Sequence, residues 1–164
     1  MYMTLLQEAI TELQGQKVEN MSDCTVATTL DGYLPQSYVE EETERIIVYS
    51  RIAKVSQEEE RVKLLEYLAG RYGSVPSEVD NLIWIAMLKN LASKLGVTKV
   101  IVRAATCQLL FSLESDNQAL LDLVEQYDMM SLDMSAQPKV VVDLDMGVKE
   151  KIIALVRLLS IAIE

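Results

Sequence analysis

The sequence YLPQSYV at residues 33–39, together with the charged stretch that follows it, decides how the first half of this chain folds. Pro35 disfavours helical backbone in the residue before it, so this segment is predicted to be extended or turning. A helix is predicted to begin near Val39, because three successive glutamates follow and carboxylates are favourable at the positive end of a helix dipole. Arg45 and Tyr49 are four residues apart and therefore share one face of this helix.

Two further helices follow in the sequence. Ser56 and Glu59 have the spacing of a capping box and predict the start of a second helix, whose end is bracketed by Gly70 and Gly73. Pro76 is suited to the first turn of a third helix, where its missing N–H costs no hydrogen bond. The third helix is predicted to be the most clearly amphipathic one, with an apolar stripe at Val79, Leu82, Ile83, Ala86, Met87 and Leu91.

Period-two alternation of apolar and polar residues predicts a hairpin with strands at 97–103 and 106–113. The Ala104-Ala105 connection between them lacks the residues that favour positive φ. The other predicted elements are an edge strand at 23–30, a short helix at 116–127 with Leu120, Leu121 and Val124 inward, strands at 129–134 and 139–144, and a long helix at 148–163. The predicted class is α+β: a helical N-terminal half followed by a small, mostly antiparallel sheet with flanking helices.

Core packing is the favoured interpretation of two apolar features. One is Trp84 on the third helix, for which an interface anchor is the alternative. The other is the helix at 148–163, whose apolar residues cover much of its circumference, so that it either belongs to the core or packs against something additional. No apolar run is long enough to cross a bilayer, and the stretch at 152–163 is interrupted by Arg157.

The formal net charge of −10 over 164 residues is unevenly distributed. Residues 1–80 carry 15 acidic and 7 basic side chains, whereas residues 81–164 carry 10 and 8. Nucleic-acid affinity depends mainly on Lys and Arg side chains that neutralise phosphates, so this charge argues against direct nucleic-acid contact. An acidic surface suits a basic protein partner, although composition alone favours simple solubility as the explanation.

Few groups in the sequence could carry catalysis. It contains no His, the commonest general base and metal ligand. Cys24 and Cys107 are isolated from one another in sequence, which predicts two reduced thiols in a cytoplasmic protein. A glycine-rich phosphate loop is absent, and the glutamates at 58–60 lack the spacing of a calcium loop. A small-molecule or metal-dependent enzyme domain built on clustered carboxylates remains the alternative function.

Several short motifs follow the opening stretch in a definite order: Arg71-Tyr72-Gly73, Pro76, Ile85-Ala86-Met87-Leu88-Lys89 and Leu95-Gly96-Val97. In this order and spacing they resemble the C-terminal domain of bacterial transcription-repair coupling factors, the Mfd family of translocases. The resemblance covers roughly residues 1–115. An apolar stripe also predicts a helix at 2–13. The resemblance implies that residues 1–20 are a connecting helix and linker from a preceding motor module, and that residues 21–164 form a C-terminal regulatory domain.

The resemblance implies a non-catalytic, autoinhibitory role within a larger cytoplasmic protein. The family couples transcription to nucleotide-excision repair as an ATP-dependent DNA translocase that acts on stalled RNA polymerase. Its C-terminal domain is expected to dock on the N-terminal repair-helicase-like module of the same polypeptide and to mask the surface that recruits the damage-recognition ATPase. ATP and Mg are expected in the parent motor module, with no cofactor, metal, nucleic acid or membrane contact in this domain.

Glu66 and Arg71 are the candidate contact residues for this docking. In relatives, an acidic residue followed by Arg, an aromatic residue and Gly marks the docking region, and Arg71 begins the matching part of that pattern. Gly70 and Tyr67 occupy positions that are usually acidic in relatives, so Glu66 or the glutamates at 58–60 would have to supply the negative charge. Five other residues are assigned to the fold architecture: Tyr33, Pro35, Tyr38, Arg45 and Tyr49.

Overall fold

The computed structural model describes residues 24–114 and 116–163. These residues divide into two compact units, one of residues 31–87 and one of residues 24–30 with 88–163. The helix and linker predicted at residues 1–20 lie outside the described residues. Among the helices that the structure describes, none has the length and apolar content needed to cross a membrane.

The first unit is built on helices α1 (Glu42–Ala53), α2 (Glu58–Tyr72) and the part of α3 (Ser77–Lys94) that ends at Met87. Helix α1 begins at Glu42 and not near Val39, so its predicted start was wrong by about one turn. The reason is that the carbonyl of Val39 accepts a hydrogen bond from the guanidinium of Arg45 at 3.0 Å, and the Val39 side chain is buried in the core. Residues 33–39 are extended and turning, as predicted.

The start of α2 is capped one residue later than the sequence spacing predicted. The carboxylate of Glu60 accepts hydrogen bonds from the backbone N–H groups of Gln57 at 3.0 Å and Ser56 at 3.1 Å. Glu59 does not serve as the capping acid, because the N-cap residue is Gln57 and the third helical residue after it, whose side chain reaches back to the N-cap N–H, is Glu60. At the other end Gly73 has a φ of +93°, a conformation that residues with a Cβ rarely adopt, and it terminates the helix.

Helix α3 is not the amphipathic helix that the sequence predicted. Successive side chains on it, Leu82, Ile83 and Trp84, are all buried, although neighbouring residues on a helix point about 100° apart. The helix is therefore enclosed over much of its circumference. The core position of Trp84 is confirmed: its side chain is buried and the guanidinium of Arg61 lies over the indole, 4.6 Å from the ring centroid.

The second unit contains a five-stranded sheet with the order β1-β2-β3-β5-β4. Its strands are β1 (Thr25–Thr28), β2 (Val97–Val102), β3 (Cys107–Phe111), β4 (Met130–Asp133) and β5 (Lys139–Val142). Strand β1 lies at the sheet edge, as predicted, and pairs in parallel with β2, whereas the other neighbouring strands are antiparallel. The α+β class and the mostly antiparallel sheet are confirmed.

The hairpin between β2 and β3 closes in a two-residue turn, Ala104-Ala105, that has none of the usual turn residues. Arg103 and Thr106 exchange backbone hydrogen bonds at 2.8 and 3.4 Å. The ammonium group of Lys151 donates to the carbonyls of Arg103 and Ala104 at 2.9 and 2.7 Å, and its side chain is only 3% exposed. This buried cation binds the carbonyls of the turn and supports a conformation that the turn sequence itself does not favour.

Helices α4 (Gln118–Gln126) and α5 (Val148–Ile163) complete the second unit. The buried residues of α4 are Leu120, as predicted, and Leu123, which was not predicted; Leu121 and Val124, also predicted to be inward, are half-buried. Helix α5 has the predicted bounds, and it contributes five apolar residues to the core: Ile152, Leu155, Val156, Leu158 and Leu159. Its last turn differs, because Ile161 is 47% exposed.

Candidate protein-interaction surface

The two candidate contact residues, Glu66 and Arg71, both lie on the surface of α2. They are five positions apart, which places their side chains about 140° apart around the helix axis. The structure therefore does not bring them together on one face. A partner that contacts α2 from a single side would meet either Glu66 or Arg71.

Arg71 belongs to a polar cluster with Glu44 of α1 and Tyr72 of α2, named here the Arg71 cluster. The guanidinium donates through Nε and Nη2 to both carboxylate oxygens of Glu44, with 3.2 Å between Nε and Oε2. The Tyr72 hydroxyl donates to the same Oε2 at 2.6 Å, and the Arg71 Nε also lies 3.2 Å from that hydroxyl. Two-point pairing fixes the plane of the guanidinium, although the Arg71 side chain is 52% exposed.

The electrostatics of the cluster favour its ionised form. Hydrogen bonds from Arg71 and then from Tyr72 hold the pKa of Glu44 below its usual value. The same hydrogen bond to Glu44 raises the pKa of Arg71, and burial followed by the hydrogen bond to Glu44 raises that of Tyr72. Arg71 and Glu44 therefore both stay ionised over the whole physiological pH range, and the pair as a whole carries no net charge.

Tyr38 supports the cluster from the segment at 33–39. Its ring lies 5.7 Å from that of Tyr72 in a tilted arrangement. Its single O–H shares its hydrogen bond between the carbonyls of Gly73 at 2.8 Å and Leu68 at 3.2 Å, both near the C-terminal end of α2. Tyr38 thus holds the C-terminal turn of α2, and its assignment to the fold architecture is confirmed.

Arg45 is buried, with 6% of its surface exposed, and organises the same segment. Its guanidinium donates to the carbonyls of Leu34 at 2.9 Å, Pro35 at 3.1 Å and Val39 at 3.0 Å. This confirms Arg45 as an architectural residue, whereas Pro35 takes part through its backbone carbonyl. Tyr49 is also in the core, with the Arg45 guanidinium 5.9 Å from its ring centroid.

The expected architectural role of Tyr33 is only partly correct. Its backbone N–H donates to the carbonyl of Glu78 at 3.2 Å, which joins the start of the segment to α3. The side chain itself is 47% exposed. The backbone of this residue, rather than its ring, supports the fold.

Gly70 and Tyr67, the two positions that the resemblance implies to be usually acidic, have the following surroundings in this chain. Gly70 lies in the helical part of α2, and a Cβ added there would meet no atom within 4 Å, so its surface is open. The ring of Tyr67 lies beneath the guanidinium of Arg51, 4.2 Å from its charged carbon. Among the nearby acids, Glu58 pairs with Arg61 and Glu60 caps α2, so part of their charge is committed within the chain.

Sequence reasoning identified Arg71 but missed its partner Glu44. The two residues are 27 positions apart on different helices, and no sequence periodicity links them. The only local signal was that Glu44 lies in the first turn of α1, where an acid is expected for helix stability alone.

The described residues offer little support for a catalytic or metal site. Within residues 24–114 and 116–163, no group of three or more His, Cys, Asp or Glu side chains could hold a metal ion. Cys24 and Cys107 are free and buried, and burial raises the pKa of the Cys24 thiol to about 12 and of the Cys107 thiol to about 11. The alternative of a carboxylate-based enzyme domain is not supported by this geometry.

Comparison with known proteins relates the chain to one family. The family model described as the TRCF domain matches residues 28–120. The transcription-repair-coupling factor of Borreliella burgdorferi is 31% identical over 99 residues, which are 60% of this chain and 9% of that protein. The factor of Bacillus subtilis is 29% identical over 132 residues, covering 77% of this chain and 11% of that protein. The chain thus spans about a tenth of the length of the curated relatives it matches.

A solved structure shows the same fold. It is described as the crystal structure of the C-terminal domain of transcription-repair coupling factor, and it superimposes with a TM-score of 0.69 at 17% identity. The match covers 89% of this chain and 97% of that one. The chain is therefore a member of the TRCF domain family, with the fold of the C-terminal domain of a transcription-repair coupling factor.

Proposed function

We propose that this chain is a non-catalytic, autoinhibitory domain of an ATP-dependent DNA translocase that couples transcription to nucleotide-excision repair. It docks on the N-terminal repair-helicase-like module of the same polypeptide and masks the surface that recruits the damage-recognition ATPase. Membership of the TRCF domain family supports the assignment to a coupling factor. The observation that carries the docking role is the Arg71 cluster, in which an exposed guanidinium is held in one orientation.

A guanidinium in a fixed orientation suits recognition of a carboxylate or carbonyl on another protein. Free arginine side chains lose rotamer freedom on binding, at a cost of about 0.5–1.5 kcal/mol for each immobilised side chain. Glu44 and Tyr72 have already restricted Arg71 within the domain, so this cost is smaller. The pairing leaves the outer edge of the guanidinium to meet a partner.

A reversible dock also suits the polar character of this surface. Interfaces between domains of one chain are moderate in area and more polar than permanent ones, and the covalent link supplies a high effective concentration. Engagement of RNA polymerase by the parent would release the domain if the freed module bound its next partner more tightly. ATP and Mg would act in the motor module of the parent in the cytoplasm.

Direct contact with DNA is not part of this proposal. Residues 31–87 contain 11 acidic and 6 basic side chains. Phosphate binding depends on cations, so this unit repels DNA and favours a protein partner.

The proposal is tested with the N-terminal module of the parent expressed separately and titrated with this chain in a calorimeter. We expect binding that weakens as salt is raised, and that Arg71→Ala weakens about tenfold, as for a paired interface charge. Glu66→Gln tests the other candidate, and Lys99→Ala, an exposed cation on β2, is the matched control. The docking role is wrong if the two proteins do not associate even when joined by a linker. The role of Arg71 is wrong if Lys99→Ala weakens binding as much.

A further inference from the structure

An open groove of about 780 Å³ lies between α1 and α2 and is named here the α1–α2 groove. Its apolar and aromatic lining residues, named here the floor, include Ile46, Ile47, Leu64 and Tyr67. Ile47 is 44% exposed, whereas Leu64 is almost fully buried. A partner that covered Ile47 would therefore remove apolar surface from water without any rearrangement of the helices.

The charged residues that line the groove, named here the rim, are mostly basic, although the protein as a whole is acidic. Three cations, Arg51, Lys54 and Lys63, line the groove, with Glu60 as its one acidic lining residue. The carboxylate of Glu60 already accepts hydrogen bonds at the start of α2. The groove therefore carries a local positive charge although the chain has a net charge of −10.

Within the described residues, Arg51, Lys54 and Lys63 form no ion pair. Residues 31–87 contain six basic side chains, and the other three have structural partners. Arg45 binds backbone carbonyls, Arg61 pairs with Glu58, and Arg71 pairs with Glu44. Within residues 31–87 the groove thus gathers the three basic side chains that have neither an ion pair nor a backbone carbonyl as partner.

Arg51 is also oriented for such a role. Its guanidinium lies over the ring of Tyr67 with 4.2 Å between the charged carbon and the ring centroid. Stacking on an aromatic face occupies the flat side of a guanidinium and leaves the N–H groups at its edge to donate hydrogen bonds. A carboxylate at the rim could therefore receive two of them at once.

We infer that the α1–α2 groove binds an acidic amphipathic helix of a partner protein. The apolar face of that helix covers Ile47 and the floor, while its carboxylates pair with Arg51, Lys54 and Lys63. Helices commonly bind apolar grooves in this way, with apolar residues three and four positions apart as anchors. This inference does not depend on the docking role of Arg71, because it rests on the shape and charge of the groove alone.

The test uses two designed, fluorescein-labelled helical peptides with the same leucine face. One carries glutamates beside the leucines and the other carries lysines. Fluorescence anisotropy at low salt should show that the glutamate peptide binds at least about tenfold more tightly, and that salt weakens it. The double variant Lys54→Glu, Lys63→Glu should weaken it by a further tenfold or more, about the effect of reversing close charge pairs. Equal binding of both peptides would overturn the inference.

Matched control variants distinguish binding at the groove from effects of net charge or of exposed apolar side chains elsewhere on the protein. Lys94→Glu with Lys99→Glu makes the same change in net charge at exposed positions of the second unit and should leave binding unchanged. Ile47→Ser should weaken binding, whereas Ile161→Ser removes a similarly exposed isoleucine on α5 and should not. Equal losses in variant and control would contradict the groove as the site. Far-ultraviolet circular dichroism checks that each variant is folded.

Three other results would each contradict the inference that an acidic helix of a partner protein occupies the groove. A single-stranded oligonucleotide that displaces the peptide would indicate a nucleic-acid groove. Concentration-dependent dimerisation that Ile47→Ser abolishes, measured by light scattering, would identify a second copy of the chain. Tighter peptide binding by the Ile10→Asp variant would show that the chain's own N-terminal sequence competes for the groove.

Discussion

Replacing Arg45 by Met provides a sharp test of how the segment at 33–39 is held. Methionine retains most of the aliphatic length of arginine but removes every hydrogen-bond donor. The change leaves the carbonyls of Leu34, Pro35 and Val39 without the guanidinium, which now lies 2.9–3.1 Å from each of them. Because Leu34 and Val39 are almost fully buried, water can replace the lost donor only in part.

The expected loss in the free energy of unfolding follows from these contacts. A hydrogen bond to a charged group contributes about 1.5–3 kcal/mol, and a buried group left unsatisfied costs about 1–3 kcal/mol. The free-energy contributions of three hydrogen bonds from one side chain are not additive. The carbonyl of Pro35 is also partly accessible to water. We therefore expect Arg45→Met to cost about 3–5 kcal/mol, a large part of the roughly 5–15 kcal/mol of a typical domain.

Urea unfolding followed by tryptophan fluorescence measures this loss. Trp84 is the single tryptophan of the sequence and lies in the same unit as Arg45. With a denaturant dependence of about 2 kcal/mol per molar urea, the midpoint should fall by roughly 1.5–2.5 M. Arg45→Lys keeps the charge but replaces the planar guanidinium by a single ammonium group. Its urea midpoint should therefore lie between those of the parent protein and Arg45→Met.

Arg51→Met is the matched control, since it makes the same change at an exposed position of α1. Its free energy of unfolding should remain within about 1 kcal/mol of the parent value, since the contact it loses is the exposed cation–π contact with Tyr67. The reasoning is wrong if Arg45→Met costs less than about 1 kcal/mol, or if both variants lose the same amount.

Other predictions concern Lys151 at the β2–β3 turn, the glycines near the end of α2 and the two buried thiols. Lys151→Met should lower the free energy of unfolding by about 2–3 kcal/mol, because the carbonyls of Arg103 and Ala104 lose their donor. It should also speed amide hydrogen exchange in the β2–β3 turn, and unchanged exchange would refute the role of Lys151 in holding that turn. Gly70→Ala should stabilise the protein by about 0.5–1 kcal/mol, because the site is helical and open. Gly73→Ala should destabilise it by about 1–3 kcal/mol, because φ is +93°; thermal unfolding distinguishes the signs. Unfolded thiols ionise near pH 8.5–9, whereas burial raises the folded-state pKa of Cys24 to about 12 and of Cys107 to about 11. The folded protein then holds more protons than the unfolded chain, so the free energy of unfolding falls as pH rises from about 9 to 12. The double variant Cys24→Ala, Cys107→Ala lacks both thiols and should lose less stability over that range. An equal loss would show that the thiols do not cause this pH dependence.

The candidate surface was predictable only in part. Arg71 and Glu66 were identified as exposed residues on a helix, and both are. Their separation onto different faces follows from helix geometry, but the partner that orients Arg71 does not. The α1–α2 groove was also absent from the sequence reasoning, because its lining comes from two helices whose relative rotation no local pattern specifies.

The sequence by itself determined the local elements. Prolines, glycines and apolar spacing marked the helices and strands, and the bounds of α5 were predicted correctly. These signals act over a few residues, since helix and strand hydrogen bonds and side-chain periodicities have that range. Errors at the starts of α1 and α2 were of three residues or fewer, where competing side-chain hydrogen bonds decide the boundary.

Only the tertiary structure decided which distant groups meet. Glu44 and Arg71 are 27 positions apart, Tyr38 and Gly73 are 35 apart, and the ammonium of Lys151 binds a turn 47 positions earlier in the chain. Each of these contacts depends on the path of the whole backbone. A polar side chain satisfies its hydrogen bonds with whatever groups that path brings near it, and no period of the sequence records the choice.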